Sequence, residues 1–327
     1  MTFYRGLILA SLILALGVVS LGAYVRLSDA GLGCPDWPGC YGKLTPLHAA
    51  EQIEAELAAS PGGPVSHAKA WKEMVHRYAA GTLGLMVLAI AVLGWRLRAE
   101  AAGGPALPVF LLALIVFQAL LGMWTVTLLL KPYVVTAHLL GGMATLSLLL
   151  WLWLRERGRS DRAYYARVDH LRGPARVALL LVIVQIALGG WVSTNYAALA
   201  CTDYPLCQGQ WLPEMDFAHA FTLRRELGET ATGELLSMAS LTAIHWMHRL
   251  MALVVFLYVG WLGVRLLRTP GYVCFGIAVG GLLVLQVSLG ISNVLFSLPL
   301  ALAVAHNIGA AMLLASVVWL NHRVHSA

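Results

Sequence analysis

Four histidines, four cysteines and one glutamate are spaced as a chemical site would need them. His76-Arg77 recurs as His248-Arg249, an offset of 172, and His138 recurs as His306, an offset of 168. Cys34 and Cys40 form a C-x5-C pair that recurs 167 residues later as Cys201 and Cys207. Gln118 and Gly122 recur as Gln286 and Gly290. A near-constant offset over most of the chain marks a duplicated unit of about half the protein. It predicts two similar sites, one per half. Imidazoles can ligate iron or another metal, and paired cysteines can form or exchange a disulfide. Glu73 stands one turn before His76 on the same helical face, where a carboxylate could accept a proton or stabilise a developing cation. The matching place before His248 holds His245 instead.

These residues must be positioned by membrane helices. The chain is 59% hydrophobic and 12% charged, with a mean hydropathy of +0.76. A soluble chain of this size would carry about 25% charged residues. The apolar residues fall in eight blocks, roughly 6–25, 71–95, 107–130, 133–154, 175–195, 241–264, 272–296 and 299–320. About 20 apolar residues cross a bilayer as a helix, because lipid offers the backbone no hydrogen-bond partner. The first block is too long for a signal-peptide core and no A-x-A site follows it, so it is expected to be a span. No Arg/Ser-rich transit segment is evident, which favours a bacterial protein. With the N-terminus inside, the inner segments hold thirteen basic and four acidic residues, and the outer loops seven and twelve. The positive-inside rule then places both termini in the cytoplasm and both cysteine loops on the outer, periplasmic face of a bacterial cytoplasmic membrane. The arginines are an ordinary topology signal, so no nucleic-acid partner is expected.

The expected fold is an all-α integral membrane protein of eight transmembrane helices. They form two tandem four-helix bundles related by a pseudo-twofold along the membrane normal. The N-terminal half would be 1–155, a cytoplasmic linker 156–173, and the C-terminal half 174–327. His76, His138, His248 and His306 all fall at a similar depth, roughly 8–10 Å below the outer surface at 1.5 Å per residue. Two imidazoles at one depth on parallel helices of a bundle can hold a haem from both faces. The alternative is four buried histidines hydrogen-bonded to neighbouring helices. Zinc would want a third ligand at that depth. Arg77 and Arg249 either reach a haem propionate or snorkel to the interface. Glu73 is otherwise a solvated helix-start acid near Lys72. His245 is a spare ligand or a supporting partner.

The cysteine pairs face the oxidising side, where they would be disulfides. They are either structural staples or, at Cys34–Cys40 above all, redox-active. Cys274 is expected to be packing within the seventh span. His48, His67, His170, His219, His322 and His325 are expected in loops or the tail, with no assigned role.

With eight spans, Glu73-x-x-His76-Arg77, His138, His248-Arg249, His306 and the cysteine pairs in order, the chain resembles the haem A synthase family over essentially its whole length. The resemblance implies oxidation of a ring methyl of haem O to a formyl group, giving haem A for cytochrome oxidase. It implies that His76 and His138 flank the substrate haem, that Glu73 is needed for turnover, and that His248 and His306 ligate a resident haem b. The partners it implies are haem O synthase, an electron-transfer protein and cytochrome oxidase assembly factors; a homo-oligomer stays open. Two rivals use the same residues. A dihaem b-type cytochrome would relay electrons from quinol, and a membrane thiol oxidoreductase would work through the cysteines. A transporter of parallel repeats has little support, lacking discontinuous helices.

Overall fold

The computed structural model describes residues 1–99, 103–157 and 168–326. Among them, eight helices are long and apolar enough to cross a membrane. They are α1 (Thr2–Leu27), α3 (His67–Arg96), α4 (Ala106–Thr127), α5 (Pro132–Arg157), α6 (Asp169–Thr194), α8 (Met238–Leu267), α9 (Val273–Leu295) and α10 (Leu300–Ser326). Two short helices, α2 (Ala50–Ala59) and α7 (Phe217–Ala220), lie in the long loops. The chain is therefore a multi-pass membrane protein. Several helices outrun their apolar blocks; α6 starts at Asp169, before the apolar run, and carries Pro174 in its second turn. Residues 158–167 of the expected linker lie outside the described residues.

Helix ends repeat as the sequence does. The two helices that carry His-Arg both start at a serine cap. Ser66 accepts from the Lys69 N–H at 3.3 Å and Ser237 from the Ser240 N–H at 3.1 Å. Such caps satisfy a first-turn donor and stabilise a helix by about 1 kcal/mol. The non-glycine residues with positive φ also fall in matched pairs: Asp29 with Tyr196, Tyr41 with Gln208, Leu129 with Ser297, and Leu130 with Leu298. A left-handed leucine costs roughly 1–2 kcal/mol, and here it closes a tight turn between packed helices. The Leu130 N–H reaches Thr125 O at 2.8 Å and the Leu298 N–H reaches Asn293 O at 2.7 Å.

Packing follows two rings. Helix α1 packs on α3 and α5, and α4 on α3 and α5; α6 packs on α8 and α10, and α9 on α8 and α10. Helices α1 and α5 then meet α6 and α10. Away from the cysteine loops the structure is filled by apolar side chains, among them Ile8, Leu111, Leu149, Leu152, Leu171, Leu262, Leu266 and Leu320, each fully buried. Toward the cysteine loops it is hollow. Near those loops the helix ends are tied together across the rings. Arg26 donates to Ser193 O at 2.7 Å and lies 4.1 Å over the Tyr196 ring, and the Tyr196 hydroxyl donates to Asp29 at 3.0 Å. Cys274 sits exposed near the start of α9, so it faces outward rather than packing inside. His67, His170, His322 and His325 are likewise helical, not loop or tail residues.

Candidate functional site

The hollow is one cavity of about 1590 Å³, not two separate ones. Single-ligand pockets commonly measure about 300–1,000 Å³, so this one has room for two large ligands. His76, His138, His248 and His306 all line it. His76 lies within electrostatic reach of His138, and His248 of His306. Each ring faces a glycine on a neighbouring helix. An added Cβ would stand 3.0 Å from His76 at Gly22, 3.4 Å from His138 at Gly122, 3.1 Å from His248 at Gly189 and 3.1 Å from His306 at Gly290. The glycines let the helix backbone approach the imidazole flat. Sequence reasoning passes over Gly22 and Gly189, although their offset of 167 is the same signal that marks the cysteines.

The buried Nδ1 atoms of His76, His138 and His306 make no full hydrogen bond among the described residues, but each ring lies within reach of a backbone carbonyl, at Val18, Gln118 and Gln286. A carbonyl behind a ring fixes its orientation, the support that metal-ligating histidines usually have. The donor set fits haem, which brings four nitrogens of its own and asks the protein only for axial imidazoles. Among the described residues no three His, Cys, Asp or Glu side chains converge on one point. The imidazoles are offered in pairs. The second pair has amide neighbours: Gln185 Nε2 lies 3.1 Å from His248 Nδ1, and Gln286 Nε2 lies 3.3 Å from His306 Nε2. The place of Gln185 is taken by Val18 in the first half.

Glu73 is buried, 4% exposed, and lines the cavity. It is not a solvated helix-start acid. Its Oε2 accepts the Cys34 N–H at 2.9 Å and its Oε1 pairs with the Arg77 guanidinium. Arg77 also donates to Asp36 O at 2.8 Å and Gly39 O at 2.6 Å. Carboxylate, arginine and cysteine loop are thus one buckle. The second half repeats it with a difference. Arg249 donates to Cys201 O and Leu206 O, each at 2.9 Å, but its Nε reaches His245 Nε2 at 3.1 Å. Arg77 is ion-paired with a carboxylate on its own helix, whereas Arg249 has an imidazole there and the Asp203 carboxylate of its loop within electrostatic reach. Both arginines line the cavity while holding a loop, a duty that spacing does not reveal.

The loops themselves are copies. Cys34–Cys40 and Cys201–Cys207 are disulfide-bonded. Inside each, an aspartate receives two backbone N–H groups from beyond the second cysteine. Asp36 accepts from Tyr41 and Gly42, both at 2.6 Å, and Asp203 from Gln208 at 2.7 Å and Gly209 at 2.9 Å. The Gly209 N–H, followed by that of Gln208, holds the Asp203 carboxyl below its ordinary range. A depressed carboxyl stabilises the loop above the unfolded carboxylate range, and that stabilisation is lost as pH falls through the folded pKa. Asp203→Asn should therefore lower the protection of the Gln208 and Gly209 amides, relative to their intrinsic exchange rates, at neutral pH and remove the fall in protection expected of wild type as pH drops through the Asp203 pKa. Hydrogen exchange on the detergent-solubilised protein reads both; amides unaffected by the substitution would contradict the assignment.

Eight apolar helices around a cavity lined by paired, buried imidazoles define a multi-pass membrane protein with two matched pairs of histidines. The chain belongs to the COX15-CtaA family, described as cytochrome oxidase assembly protein, which it matches over residues 5–318. Among its relatives it is 45% identical over 313 residues to the heme A synthase of Shewanella oneidensis, covering 95% of this chain and 94% of that protein. It is 28% identical to the heme A synthase of Rhizorhabdus wittichii, over 95% and 90% of the two chains. The heme A synthase of Paracoccus denitrificans is 27% identical, over 95% and 84%.

Proposed function

We propose that this chain is a haem A synthase, an oxidoreductase that converts the methyl group of haem O to the formyl group of haem A for cytochrome oxidase assembly. The observation that carries the reading is a repeated pair of buried imidazoles in one membrane cavity, with a carboxylate beside only one pair. The extended match to heme A synthases supports it. His76 and His138 hold the substrate haem, and His248 and His306 hold a resident haem b, within two four-helix bundles related by a twofold along the membrane normal. Bound haem b supplies one-electron chemistry.

The overall change in the substrate is RCH3 + H2O → RCHO + 4H⁺ + 4e⁻. It passes through two hydroxylations, and the resulting gem-diol loses water. The electrons go to an electron-transfer partner. Glu73 serves this reaction by proximity and charge. Its two oxygens have about four lone-pair sites, so an oxygen already bonded to Cys34 N–H or Arg77 can still accept a proton released at the methyl. The carboxylate also favours positive charge developing nearby. Arg249, which has no ion-paired carboxylate on its own helix, suits a propionate of the resident haem, and Arg77 one of the substrate. Haem O synthase supplies the substrate, the termini are cytoplasmic, and the cysteine loops face the outside of a bacterial cytoplasmic membrane.

Extracted pigment tests the reading. Protein purified from cells that make haem O should yield haem O, its hydroxymethyl form or haem A beside haem b. Haem b alone would favour an electron-relaying dihaem cytochrome. Formyl production that survives loss of His76 but not of Cys34 would favour a thiol oxidoreductase.

A further inference from the structure

The two halves differ where the cavity meets the outside of the bundle. In the first half it runs outward between α3 and α4 to Tyr78, Thr82, Leu88 and Val116. These residues are exposed; Tyr78, Leu88 and Val116 are 41%, 44% and 55% exposed. Their counterparts Leu250, Val254, Gly260 and Val284 do not line the cavity. The cause is visible in the sequence of α3. Gly81 and Gly84 stand three residues apart on one helical face, and an added Cβ at either would meet nothing within 4 Å. At the same places in α8 stand Leu253 and Phe256, and Ala119 of α4 is matched by Val287. From His76 to Leu88 the groove follows α3 for about 18 Å at 1.5 Å per residue. At its inner end the buried Gln118, 7% exposed, has an Nε2 without a hydrogen-bond partner among the described residues.

The geometry points to a lateral isoprenoid-binding groove between α3 and α4 that admits the substrate from the lipid and selects it by its tail. The inference rests on the proposed function, since haem O differs from haem b by a long isoprenoid chain. A groove open to lipid lets an apolar chain enter without crossing water, and selection then rests on whether the groove has room for it. Leu253 and Phe256 put side chains at the matching place of the second half, where they line the cavity. That half would accept a tail-less haem and exclude a prenylated one. One chain thereby sorts two haems that offer the same iron to the same pair of imidazoles.

Gly81→Leu/Gly84→Phe transplants the second-half side chains into space that is open, and removing helical glycines favours the helix. Purified protein whose second site is filled with haem b would be titrated with haem O and, separately, with further haem b, following the Soret band. Wild type should prefer haem O at the first site by about tenfold or more, equivalent to about 1.4 kcal/mol, and the double variant should lose that preference. A wild type with no preference, or a preference that survives in the variant, overturns the groove. Loss of affinity for both haems alike leaves the preference in place and counts against it too. If the double variant fails to hold haem b in the second half, Ala119→Val applies the same test with a smaller expected drop. A wild-type protein that takes up no haem O at its first site would instead overturn the functional reading.

Discussion

His76→Ala should empty the first site of its substrate-type haem, stop formyl production and leave haem b in place. His248→Ala should do the reverse to pigment content, removing haem b while the first site still takes up haem O. The reason is the pairing. His76 lies within electrostatic reach of His138 and His248 of His306, so on the proposed assignment each iron would depend on two rings from its own half. Losing a supporting group behind a metal ligand already costs about 10–100-fold in affinity. Losing the ligand itself should cost more than about 100-fold on that scale. The alanine also leaves a void against Gly22 or Gly189, where the removed ring packed, and nothing nearby can replace the imidazole nitrogen. Reduced-minus-oxidised spectra with extraction of the pigments read both sites in one sample. Loss of both haems from either single variant would mean that ligands are shared between halves, and the site division would be wrong.

Glu73→Gln should retain both haems and lower formyl production by about 100-fold or more, the usual range for a lost acid–base group. Glutamine preserves shape and can still accept the Cys34 N–H. It cannot balance the Arg77 charge or take a proton. The variant leaves a half-buried guanidinium supported only by loop carbonyls, so some loosening of the first cysteine loop should accompany the loss. Two readouts separate the contributions. Accessibility of Cys34–Cys40 to a thiol reductant reports the buckle, and turnover of bound haem O reports the reaction. Turnover lost with the disulfide as protected as in wild type assigns Glu73 to the substrate. Turnover lost in proportion to loop opening assigns it to positioning. Full formyl production in the variant would remove Glu73 from the mechanism. His245→Gln should leave formyl production intact, because His245 stands beside the other imidazole pair.

Much of this molecule is legible in its sequence. Eight apolar blocks of spanning length become eight helices, because backbone in lipid has no other way to satisfy itself. A constant offset picks out the four histidines, the two arginines and the cysteine pairs, because duplicated function keeps duplicated spacing. What spacing cannot carry is which groups touch. Arg77 and Arg249 look free to reach outward, yet each is engaged with three partners or more at its loop or its own helix. Glu73 looks like a helix-start acid because Lys72 precedes it; burial follows from the loop folding back over it, a contact 39 residues distant in sequence. Gln185 and the Gly81/Leu253 contrast are single-position differences within matched helices. They stand out only when the halves are matched position by position and their differences weighed against the contacts around them. The merging of two expected sites into one cavity depends on how α1, α5, α6 and α10 meet, which no local pattern encodes.

The hydrogen bond from Arg26 to Ser193 joins a residue to its own counterpart, 167 positions later. On the proposed twofold such a contact can lie only beside the axis. Two separate copies of one half could make it equally well, with the same side chains meeting from both sides. Two separate copies could not, however, place Glu73 in one half and a histidine in the other, nor glycine against leucine at the mouth. Identical subunits are bound to identical sites. Joining the halves into one chain lifts that bond, so each half can be altered without altering its twin. Covalent continuity is what permits a division of labour between two equal-looking cradles.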